Sequence, residues 1–150
     1  MLPDTDHLSD LICRKHRVLV QLRQLGRDQL ALIEANDLTQ LLKLLASKQR
    51  LLGELQSVER QLDPFRAQDP ESRVWRSAED RDRCARAAAE CEAMREEIVQ
   101  AERLSESRMT LRRDEAASRL QGLHQASQVR HAYIEPAQSD WRQLDLSSEG

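Results

Sequence analysis

Apolar residues recur along this chain in steps of three and four, and no stretch alternates with period two. From about residue 6 to residue 35 the stripe is Leu8, Leu11, Ile12, Leu19, Leu22, Leu25, Leu30 and Ile33. That spacing predicts an amphipathic helix. Gly26 weakens it by about 1 kcal/mol relative to alanine. Asn36-Asp37 interrupts the stripe, and Asp37 followed by Gln40 has the pattern of a helix N-cap with its first turn. A second helix is predicted over 38–62, with Leu41, Leu42, Leu45, Leu52, Leu55, Val58 and Leu62 on its apolar side and Lys48 at the edge of the seam.

Asp63-Pro64 is expected to end that helix, because proline disfavours the helical conformation of the residue before it. The segment DPFRAQDP, residues 63–70, is the clearest connection in the chain. Asp69-Pro70 is a cap followed by a first-turn proline, and restarts a helix expected over 70–126. Ser77, with Asp80 three residues on, is an alternative start. Phe65 and Trp75 flank this corner and suit a plug for the open end of a helical bundle. The third stripe includes Cys84, Cys91, Met94, Ile98, Leu104, Leu111, Leu120 and Leu123, with small residues at Ala88 and Ala101 where helices can approach closely. It thins at Ser105–Arg108, where the least burial is expected. Leu22, Leu41, Leu45, Leu52, Leu55, Cys91, Met94 and Ile98 are expected among the most buried side chains.

The fold expected is all-α: long antiparallel helices in a coiled-coil-like bundle or hairpin, with a helical domain over 1–135 and a mobile, flexible tail over 136–150. Two topologies fit the lengths. Either Asn36-Asp37 is a true corner and three helices form a bundle, or residues 5–62 run as one arm of a two-arm hairpin. The second places Asn36 and Asp37 near an apolar seam at a cost in stability, so the corner is preferred.

Composition narrows the chemistry. The 150 residues are 33% charged and only 3% aromatic, with four glycines and four prolines, which suits helices and not strands. The net charge of −3 gives no global field for nucleic acid or acidic lipid. Twenty of the 23 basic residues are Arg, but acids interleave with them, so no nucleic-acid partner is expected. No segment has the apolar run of a signal peptide or a membrane span, so a cytoplasmic protein without membrane insertion is expected. Cys13, Cys84 and Cys91 form no CxxC motif. Cys84 and Cys91 stand about 10.5 Å apart along a helix, too far for a disulfide.

Catalytic patterns are missing from the four histidines, His7, His16, His124 and His131, which make no HExxH motif. His124 and His131 share a helical face but lack further ligands for a metal. Arg14, Lys15 and His16 beside Cys13 favour a thiolate, yet no triad partner is identifiable. The segment IEANDLTQLLKLLASKQRLLGEL loosely resembles the first helix of all-α chorismate mutases, with Lys48 as a candidate cation, but no matching array of cations is present elsewhere. No catalytic residue, cofactor or metal is therefore expected.

Extended to IEANDLTQLLKLLASKQRLLGELQSVERQL, the same segment resembles the core of the FlgN family of flagellar export chaperones. The matching positions are Asp37, Leu41, Leu42, Leu45, Lys48, Gln49, Leu52, Leu55 and Glu59. The resemblance implies a cytoplasmic, non-enzymatic chaperone. Such a protein binds hook–filament junction (hook-associated) subunits and delivers them to the flagellar type III export apparatus. It also implies client contacts toward the C-terminal region, corresponding to residues 110–146, with Leu111, Leu120, Leu123, Val129, Tyr133 and Ile134 as apolar anchors. The alternative is a coiled-coil adaptor or scaffold of other function, for which the same stripes suffice.

Overall fold

The computed structural model describes the backbone of residues 4–148 and the side chains of residues 4–134. It is all-helical, with no strand among the described residues. The helices are α1 (Asp4–Glu34), α2 (Leu38–Arg66) and α3 (Ala78–Ser148), with a single 3₁₀ turn at Pro70–Ser72. The chain divides into two compact units, Met1–Arg108 and Met109–Gly150. The mobile tail expected over 136–150 lies outside the residues whose side chains are described.

Asn36-Asp37 is a true corner. The Asn36 amide donates to the Ile33 carbonyl (3.1 Å) and the Asp37 amide to that of Leu32 (3.0 Å). Asn36 lies in the left-handed region at φ 56°. These are the paired bonds that close a helix C-terminus in the Schellman arrangement, with asparagine in place of the commoner glycine. Asp37 then caps α2, its carboxylate accepting from the Gln40 amide at 3.2 Å. Two adjacent residues thus satisfy the end of one helix and the start of the next.

The α1–α2 pair is antiparallel: Lys15 meets Glu59 at 2.8 Å, while Gln29 meets Lys48 at 3.1 Å. Helix α3 runs parallel to α1. His16–Glu90, Arg23–Glu97 and Glu34–Arg108 are each 74 residues apart in sequence and pair at 2.6, 3.6 and 3.4 Å. The core of the first unit has two clusters. Leu8, Leu11, Val58, Leu62 and Phe65 fill one, flanked by Ile12, Trp75 and Cys84. Val18, Leu19, Leu22, Leu51, Cys91 and Met94 fill the other. Full burial of each such leucine or methionine contributes about 1.5–3 kcal/mol. Phe65 and Trp75 therefore plug an end of the bundle, as their position in the sequence suggested.

Five expectations are corrected. Helix α2 continues through Pro64 to Arg66 instead of ending at Leu62. Proline there forfeits one backbone hydrogen bond near the helix end. The last turn is held instead by buried Phe65 and by Arg66, which pairs with Glu59 and, at 2.8 Å, with Asp63. Helix α3 begins at Ala78 rather than residue 70, because the Ser77 hydroxyl caps it, accepting from the Asp80 amide at 3.1 Å. The Asp69-Pro70 signal produces only the 3₁₀ turn. At its other end α3 runs past residue 126, since 127–134 contains no glycine or proline to stop it.

The fourth correction is one of phase. The inward positions of α2 are Leu41, Leu44, Lys48, Leu51, Leu55, Val58, Leu62 and Phe65, an unbroken three-four alternation. Leu42 and Leu45 fall outside it and are exposed, and Leu52 lies half-buried on its flank. Leu22, Leu41, Cys91 and Met94 are buried as expected, whereas Leu55 and Ile98 are half-buried. Ser105, expected in the least buried stretch, is only 1% exposed.

Candidate functional site

Inside the first unit several polar groups are engaged with one another across the helices. Lys48 donates to Gln29 Oε1 at 3.1 Å and to Glu102, so one ammonium ties all three helices. Gln29 is itself buried. A cation already countered by a carboxylate is poorly placed to hold an anionic substrate. The Ser105 hydroxyl is buried and without a hydrogen-bond partner.

The thiols are all free: Cys13 is exposed, Cys84 half-buried and Cys91 buried. Burial pushes the thiol pKa of Cys84 up, against a hydrogen bond with Ser9 that lowers it. Burial likewise raises Cys91. Neither is a ready nucleophile. A shallow groove beside Cys13, lined by Ser9, Trp75, Asp80, Arg83 and Cys84, mixes both signs of charge. Its rim is tied by the Thr5 hydroxyl donating to the Val74 carbonyl at 2.8 Å and by Arg76 pairing with Asp6 at 2.6 Å. Three of the histidines, His7, His16 and His124, serve packing or surface pairing. His7 lies tilted on Phe65 with ring centroids 5.8 Å apart, and His124 Nε2 is 3.1 Å from the Gln128 side-chain amide. Among the described residues, no group of three or more His, Cys, Asp or Glu side chains is arranged to hold a metal ion.

The second unit presents a different surface. Leu111, Leu120, Leu123, Val129, Tyr133 and Ile134 are all exposed, from 49% for Ile134 to 80% for Tyr133. All six lie on one continuous helix, but not on one face. At about 100° per residue, Leu120, Leu123 and Ile134 fall within about 60° of one another. Leu111, Val129 and Tyr133 form a second stripe, with Leu111 turned about 120° from Leu123. The six expected anchors thus form two stripes. Met109 and Ala116 belong to the first, and Met109 is exposed as well. The sequence reading also passed over the basic residues that border this first stripe. A heptad register drawn through Leu120 and Leu123 would have found them.

No helix among the described residues is long and apolar enough to cross a membrane. Comparison with protein-family models, with curated proteins and with solved structures finds no match to this chain.

Proposed function

We propose that this chain is a non-catalytic export chaperone of the FlgN type. It binds flagellar hook-associated subunits in the cytoplasm and delivers them to the type III export apparatus. The observation that carries the reading is the helix over 109–134, whose large apolar side chains are all exposed. Such a surface suits the temporary cover of an amphipathic client helix by helix-against-helix packing. The first unit supports it as a scaffold whose ionic contacts join its helices to one another. The residues that carry the family resemblance all lie in the first unit, with Leu42 and Leu45 exposed. Asp37 caps, Leu41 packs, and Lys48 and Glu59 pair internally.

The test is titration of the full chain with purified hook-associated subunits, followed calorimetrically. Stoichiometric binding is expected. Deletion of residues 127–150 should leave the melting behaviour intact and weaken binding at least about tenfold, a loss of about 1.4 kcal/mol. No binding by the full chain would overturn the proposal.

A further inference from the structure

Met109, Ala116, Leu120, Leu123 and Ile134 fall on a 3.5-residue repeat, the spacing of a coiled-coil seam. Written as heptads, they take the a and d positions along about 38 Å of helix. What borders the seam is one-sided in charge. Arg113 and Arg130 occupy a and d positions themselves. Arg112 and Arg119 take flanking g positions, and the other flanking positions, which include His124 and His131, carry no acid. The only two carboxylates between Met109 and Ile134 are Asp114 and Glu115, which fall at b and c, away from the seam. Their ion pairs with Arg113 (3.5 Å) and Arg112 (3.6 Å) are solvent-exposed and weak.

We infer that this seam docks an acidic amphipathic helix: a partner segment with leucine-like residues along its own seam and Glu or Asp at the flanks. The inference rests on the chaperone reading and names the chemistry of the client. Charge complementarity decides among occupants. A second copy of this helix would set Arg113 against Arg113 and Arg130 against Arg130 within the seam if laid parallel, and Arg113 against Arg130 if laid antiparallel in full overlap, like charges that coiled-coil pairing rejects. An anionic membrane would attract the arginines, but a helix lying in the interface needs a polar outer face. Here that side carries Leu111 and Val129, both exposed. A helical partner leaves that second stripe free for a further contact, whereas a membrane would leave it stranded in water.

The full chain is titrated with two synthetic four-heptad peptides, both with leucine at a and d, one with Glu and one with Lys at e and g. The Glu peptide should bind at least about tenfold tighter, and its affinity should fall as salt is raised. Arg119→Glu with Arg130→Glu should abolish that preference while the circular dichroism is unchanged, and Leu120→Ser with Leu123→Ser should remove binding. Equal affinity for the two peptides would overturn the inference. So would a dimer in sedimentation that Leu120→Ser with Leu123→Ser dissolves, or capture by phosphatidylglycerol vesicles with no peptide bound. The two proposals fail separately. Hook-associated subunits that bind wild type and the Arg119→Glu/Arg130→Glu variant alike would sink the acidic-helix inference alone. A chain that prefers the Glu peptide but ignores those subunits would sink the flagellar reading alone.

Discussion

Gly26 of α1 lies against Ala101 of α3: a β-carbon added to the glycine would stand 3.7 Å from the alanine Cβ. The two small residues lie between the Arg23–Glu97 and Glu34–Arg108 pairs that join these parallel helices. The gap is an ordinary van der Waals contact and not a clash, so the glycine is not required for the approach. Gly26→Ala should therefore stabilise the protein by about 0.5–1 kcal/mol, through the lower backbone entropy of its unfolded chain. Urea unfolding measures it, and a loss of stability would mean that the helices pack closer than this.

Ser105 offers a second gain. Its hydroxyl is buried and unbonded, a cost that alanine removes while adding helix propensity. Ser105→Ala should raise stability by about 1 kcal/mol. A destabilised variant would reveal a partner for that hydroxyl.

The phase of α2 is tested by a pair of leucines. Leu51→Ala should cost about 2–5 kcal/mol, as a core truncation does. Leu42→Ala, on the exposed side, should change stability by about 0.5 kcal/mol or less. The opposite ranking would restore the register that runs through Leu42, Leu45 and Leu52.

Glu59 makes stability depend on acid. Burial alone raises its pKa, but hydrogen bonds from Lys15 and Arg66, with their positive charges, outweigh burial and hold it below the usual carboxylate range. Its contribution is complete above the unfolded pKa of about 4.3 and is lost as pH falls through the lower folded value. Glu59→Gln should thus cost about 1 kcal/mol or less at neutral pH, and nothing once both states are protonated. A penalty that persists in strong acid would trace to packing and not to charge.

Thiol labelling should rank the cysteines by access. Cys13 should react at once with a thiol reagent in the native state, Cys84 more slowly, and Cys91 only on unfolding. Rapid labelling of all three would show that the Cys91 cluster opens readily.

Much of the fold was legible because it is local. The three-four steps of α1 named Leu8, Leu11, Leu19 and Leu22, and Asp37 with Gln40 marked the cap of α2. The phase of α2 was not legible. Leucine doublets at 41–42, 44–45 and 51–52 satisfy two registers equally. What selects between them is long-range: Gln29 and Glu102 draw Lys48 inward, and Leu44 and Leu51 come with it. Ser105 was passed over for a related reason, since its burial follows from the helices around it and not from its own polarity. Pro64 looked like a stop because sequence shows the hydrogen bond it lacks and hides the seat that Phe65 finds. For the candidate surface, the six expected anchors were visible as apolar residues, but their separation into two stripes emerges only once one helix is known to run unbroken through them.

The constant 74-residue separation between partners on α1 and α3 has a kinetic meaning. The α1–α2 hairpin closes through a corner of a few residues, so its contacts are cheap in chain entropy and should form early. Every contact of α3 with α1 must wait for a far longer loop to close. During synthesis Val18, Leu22 and Leu51 emerge well before Cys91 and Met94 exist to cover them. The nascent hairpin should therefore present an open apolar trough until its third wall arrives, and the order of folding should follow the order of translation.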